Sequence, residues 1–177
     1  MIRKILCLLL IVFIASACQT QNYTGPSGDR GYFAAEDLPR VLARAFEGIS
    51  GGSDSAVNSY FSPVSYEHGR ALVTFAPPVY PQGALFVLSD LDQVKSSNTL
   101  NLLLPVQPET VGLLGIICVG IVAEAGQPGS FQRNGKQFED LLHTGGTIEI
   151  DGWTYHCGVS QEENIFFFSA TAPSGRR

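Results

Sequence analysis

The segment that most narrows the fold lies near the C-terminus. Thr147-Ile148-Glu149-Ile150, then Asp151-Gly152, then Trp153 to Val159 read as two alternating strands around a two-residue turn. Asp-Gly between alternating runs is the strongest short-range hairpin signal, because a type I′ turn needs positive φ at both central residues. A two-residue turn here pairs Ile150 with Trp153 and Ile148 with Tyr155. Ile148, Ile150, Trp153, Tyr155, Cys157 and Val159 then share one face, the core face, while Glu149, Thr154 and His156 share the other. Gln161-Glu162-Glu163-Asn164 turns the chain, and Ile165 to Ala170 (IFFFSA) is a third strand. Its consecutive phenylalanines put large apolar groups on both faces.

The rest of the chain adds helices to this sheet. Leu38, Val41, Leu42, Ala45, Phe46 and Ile49 fall on one helical face, with Asp37 placed to cap, Pro39 in the first turn and Gly48 as a stop. Arg70 to Ala76 and Gly83 to Ser89 are expected strands joined by a proline-rich loop, and Thr99 to Leu104 is another. Ser89-Asp90-Leu91-Asp92 is placed to open a short turn of helix. Thr110 to Ala123 carries no charge. A buried helix and a strand covered on both faces both fit such a run; its Val and Ile favour a central strand over Leu114 to Glu124. Asn134 to Gln137 resembles a capping box ahead of a short helix that Gly145 ends. The expected class is α+β: a mostly antiparallel sheet packed by an N-terminal helix and one short internal helix.

The N-terminus carries an address. Arg3-Lys4 is followed by an uncharged apolar run from Ile5 to Ile14 and then by Ala15-Ser16-Ala17-Cys18. That order is a secretory signal peptide. A ten-residue run spans about 15 Å as a helix, half of the ~30 Å hydrocarbon core, so it is no lasting span. The segment resembles the lipobox of bacterial lipoproteins, with Ala15 where the family usually has Leu. The resemblance implies cleavage after residue 17, an acylated Cys18 and, with Gln19 rather than Asp after it, an outer-membrane anchor with the domain in the periplasm. Ala15-Ser16-Ala17 is also an ordinary A-x-A cleavage site, which would leave Cys18 as a free N-terminal thiol. The expected layout is a leader over 1–17, a polar tether over 18–31, one domain over 32–172 and a tail over 173–177.

Arg3 and Lys4 leave with the leader, so the remaining chain carries nine basic and sixteen acidic residues, a net charge of −7 (9 minus 16). An acidic surface argues against nucleic acid as a partner. Of four cysteines, Cys7 leaves with the leader and Cys18 takes the lipid, so Cys118 and Cys157 remain. In an oxidising compartment the two are expected as a disulfide; two separate buried thiols are the other reading.

No motif points to catalysis or to a cofactor. His68 is placed in a turn, His143 at a helix end, and His156 on the face opposite Cys157. Gly-x-Ser-x-Gly, a phosphate-binding glycine loop and a Cys/His zinc spacing are all absent from the sequence. Tyr60, Phe61, Tyr66 and Tyr80, with Phe75, gather around the proline loop as candidate partner contacts, or else close the edge of the core. The functional expectation is a non-catalytic accessory or assembly component of an envelope complex, in secretion, conjugation or envelope maintenance. It would touch membrane lipid through Cys18 and other envelope proteins through its domain. A periplasmic binding module for a small ligand or glycan is the alternative.

Overall fold

The computed structural model describes residues 32–51, 57–78, 83–106 and 112–173. The leader and tether with Cys18, the aromatic Tyr80 and residues 174–177 lie outside the described residues. The strands in chain order are β1 (Phe33–Ala34), β2 (Ser65–Glu67), β3 (Arg70–Phe75), β4 (Ala84–Leu88), β5 (Ser96–Ser97), β6 (Thr99–Pro105), β7 (Gly146–Ile150), β8 (Trp153–Ser160) and β9 (Ile165–Thr171). The helices are α1 (Leu38–Ser50), α2 (Leu113–Gly126), α3 (Ser130–Arg133) and α4 (Gly135–Thr144). Seven strands form one sheet in the order β2-β3-β4-β6-β9-β8-β7, with every neighbour antiparallel. β1 and β5 make a separate two-stranded pair. This is the expected α+β architecture.

The hairpin forms as its sequence dictates. Ile150 pairs with Trp153 and Ile148 with Tyr155. Asp151 and Gly152 both take positive φ, 50° and 80°. The last strand, β9, lies between β8 and β6, which joins the meander to the earlier strands. Val159 departs from the expected burial: it shares the inner parity of Cys157 but is 54% exposed.

α1 buries Leu38, Leu42, Ala45 and Ile49 and exposes Arg40 and Arg44. Its ends differ from expectation. Asp37 makes no capping bond; its carboxylate pairs with Arg40 instead. The helix runs past Gly48 and stops at left-handed Gly51, whose N–H donates to the Glu47 carbonyl. No helical turn forms at Ser89 to Asp92; the Asp92 carboxylate accepts N–H bonds from Val94 (3.0 Å) and Ser96 (2.8 Å) and closes a turn there. Asn134 precedes α4 without a side-chain cap bond to the backbone; its amide donates to the Ser130 carbonyl (3.1 Å) of α3, and its Oδ1 accepts from Gln137 Nε2 (3.4 Å).

The largest correction is the uncharged run. Leu114 to Glu124 lies in the α-helix α2, not in a central strand. It is apolar all round because it is buried all round, which removes any one-sided period. Gly120 and Gly126 serve close packing: a Cβ on Gly120 would lie 3.3 Å from Ile49 Cδ1 and from the Phe131 ring, and one on Gly126 would lie 2.9 Å from the Trp153 ring. α2 packs against α1 and lies over β6 and β9. Among the described residues, the four helices lie on one face of the sheet, over the cluster that holds Phe86, Leu102, Tyr155 and Phe168.

Candidate functional site

The expected chemistry-bearing residues do not converge. Cys118 and Cys157 are both free and buried, not bonded to each other. Cys118 moved from the sheet into α2, which lies over β6 and β9, whereas Cys157 sits on β8, which α4 contacts. Burial raises both thiols, that of Cys157 to about 11, so neither is a ready thiolate near neutral pH. His68 stands in the β2–β3 turn at φ 49°, and His143 in the last turn of α4. His156 points away from Cys157, as strand alternation requires. Among the described residues, no group of three His, Cys, Asp or Glu side chains is placed to hold a metal.

The aromatic cluster also divides. Phe61 is a core residue, stacked on Phe75 at 4.8 Å between ring centroids, and is not a surface contact. The bridge between Phe61 and Phe75 places it there, a pairing that sequence spacing alone does not show. Tyr60 is half-buried against Phe46. Tyr66 is 46% exposed, with the Lys95 ammonium 4.6 Å above its ring. Tyr80 lies outside the described residues.

A buried polar cluster joins α2, α3 and the hairpin. Glu124, on α2, accepts the backbone N–H groups of Gly129 and Phe131 (2.9 Å for the latter). Burial pushes its carboxyl upward; these bonds and Arg133 pull it back only in part. Burial also pushes the Tyr155 phenol up to about 12. Ser130 lies beside that hydroxyl and lowers its pKa, yet no bond of ordinary geometry reaches it from the described residues. Tyr32 Oη donates to the Gly126 carbonyl at 2.6 Å, which ties the start of the domain to the end of α2. These groups stitch elements together.

Two surfaces remain. The first is an open groove of about 630 Å³ between α1 and residues 57–63, lined by Arg40, Arg44, Glu47, Asn58, Phe61 and Pro63. The second is the outer face of the sheet. Strand register gives its rows. Leu85, Leu103 and Phe167 lie side by side, and Val87 and Leu72 continue the apolar stripe one row along. Leu72, Leu85, Leu103, Ile165 and Phe167 are half-buried by their neighbours alone, since no described helix lies over them. The polar side chains between them are held in place. Asn101 donates to the Val87 carbonyl (3.3 Å) and to Ser89 Oγ (3.2 Å). Thr99 and Thr171 hydroxyls lie 3.1 Å apart, and Thr147 Oγ1 is 2.7 Å from His156 Nδ1. The His156 ring stacks on Phe167 at 5.2 Å. An apolar stripe with tied-down polar neighbours suits contact with another surface.

No helix among the described residues is long and apolar enough to cross a membrane. No known protein family, curated protein or solved structure matches the chain.

Proposed function

We propose that this chain is an outer-membrane lipoprotein whose periplasmic domain acts by binding other envelope components, as a non-catalytic accessory or assembly part. The observation that carries the reading is the order of the first eighteen residues: Arg3-Lys4, ten apolar residues, then Ala15-Ser16-Ala17-Cys18. Two or three acyl chains on Cys18 would anchor durably, where one would not. Fourteen residues (18–31) then separate the lipid from Tyr32. A flexible segment of that length has a root-mean-square span of about 20 Å and a limit near 50 Å, enough to lift the domain clear of the headgroups. The open apolar sheet face supports action by contact.

Mass spectrometry of the mature N-terminus tests the anchor, with acylated Cys18 expected. A mature chain that begins with unmodified Cys18 sinks it. In-cell crosslinking with identification of the captured species tests the contact role. A second reading, a periplasmic binding module for a small ligand, is favoured by the groove beside Arg40 and Arg44. Loss of a bound small molecule on Arg44→Ala, with no envelope protein captured, would turn the reading that way.

A further inference from the structure

The geometry points to a pairing of two copies of this chain through the open sheet face, about a two-fold axis that runs along the strands between β6 and β9. The first argument is charge. The described outer face of the four strands β4, β6, β9 and β8 carries no Asp, Glu, Lys or Arg. In a chain with net charge −5, this is the surface on which a second copy meets least repulsion. The second argument is area. The six strands that this axis superposes, at ~4.8 Å spacing with about six residues at ~3.3 Å each, make a face on the order of 600 Å². A standard interface takes about 800 Å² from each partner.

The third argument is register, and it fixes the axis. Reading across the paired strands, Leu103 lies level with Phe167, Asn101 with Ser169 and Thr99 with Thr171. A two-fold axis between β6 and β9 lays each of these over its level neighbour in the other copy. Along β6 and β9 apolar then meets apolar, amide meets hydroxyl, and hydroxyl meets hydroxyl, while β4 over β8 sets Leu85 over Gly158 and Val87 over His156. The same operation superposes the ends of the sheet. Ala71, Leu88, Leu100, Ala170, Tyr155 and Ile148 form one level row, so Arg70 and Glu149, one residue further along, are level with each other. Arg70 is on the second strand of the sheet and Glu149 on the seventh. Rotation about an axis midway between the fourth and fifth strands therefore places Arg70 over Glu149 of the second copy, twice. Both are exposed, and neither has an ion-pair partner among the described residues. Two aligned sheets with their strands within about 30° of one another make an established packing of this kind.

An axis along the strands also keeps both copies' Tyr32 at the same end of the pair. Both tethers then reach one membrane; this last point rests on the lipid-anchor reading, and the register and charge do not.

The test uses the full chain in its own envelope. Leu103→Cys, treated in intact cells with a bismaleimide, should give an adduct of twice the chain's mass; Lys136→Cys on α4, exposed on the helical side, should not. Arg70→Glu in the Leu103→Cys background should reduce the adduct by about 3- to 10-fold, and adding Glu149→Arg should restore it. Restoration is the outcome that a merely crowded membrane does not produce. An adduct of any other mass overturns the proposal in favour of a different partner. Absence of an adduct also overturns it, whether or not a monofunctional maleimide labels Leu103→Cys; lack of labelling would mean that part of the chain itself covers the face. If Leu103→Cys fails to accumulate, Ser169→Cys on the same face and beside the axis replaces it. Mass analysis of Cys18 on the same sample keeps the two readings apart: an adduct with unacylated Cys18 leaves the pairing standing and removes the anchor.

Discussion

Phe167 and Phe168 are consecutive and identical, yet they face opposite sides of one sheet. Phe168 is inaccessible to solvent, packed against Tyr155 and Phe138 at 6.0 and 6.3 Å between centroids. Phe167 lies across His156, and no helix among the described residues lies above it. Leu102 and Leu103 divide in the same way. The two faces are similar in chemistry and unlike in cover. Apolar content therefore does not say which face is the core; the helices do. An apolar face that the described chain leaves bare is where the remaining burial energy lies.

The sharpest break of this comparison is a pair of truncations. Phe168→Ala should cost about 3–5 kcal/mol in urea unfolding, since it leaves a cavity between sheet and helices. A cost below that of Phe167→Ala would mean that inner and outer faces have been exchanged. Next in size is the turn that assigns residues to faces. Gly152 sits at φ 80°, and Gly152→Val forces a β-branched residue into that region, at about 1–3 kcal/mol. An unchanged melting temperature would remove Asp151-Gly152 as the element that sets the register of β7 and β8. Phe167→Ala should cost only about 1 kcal/mol in the Arg70→Glu background, where pairing is weakened. The same substitution should cost more where the faces are paired, and equal costs in both backgrounds would argue that nothing covers the outer face.

How much of this was legible follows from the kind of signal each segment carries. The hairpin was readable to its register because turn chemistry and a period of two are local facts. α1 is readable from one apolar face, but its ends are not, because Arg40 takes the Asp37 carboxylate and the left-handed Gly51, not Gly48, ends the helix. α2 was misread. A fully buried helix and a fully buried strand both lack a one-sided period, and its Val and Ile pointed the wrong way. The disulfide failed with it, because Cys118 was assigned to the wrong layer. For Phe61 the sequence leaves partner contact and closure of the core both open, because its stacking on Phe75, which puts it in the core, is a tertiary fact. Phe167 was correctly read as facing away from Phe168; what covers it is not a local property of the sequence.

The smallest expected effect sharpens the comparison from the side of charge. The outer face shows almost none, while the helical side hides one. Glu124 is only 7% exposed and accepts two backbone N–H groups at the start of α3. Burial raises its carboxyl above the ordinary value of about 4.3, because the ionised form loses water; the two bonds offset this only partly. A carboxyl raised in the folded state stabilises folding fully below its unfolded pKa, and that contribution is lost as pH rises through the folded value. Unfolding by urea, followed from about pH 4 to about pH 8, should therefore show the stability difference between the native chain and Glu124→Gln falling with pH. The difference isolates this one group, because every other titration is common to both chains. A difference that rises with pH would mean that the Gly129 and Phe131 donors outweigh burial. Glu124 would then be a stabilised anion at the start of α3, and the helical side would hold a charge as readily as the outer face avoids one.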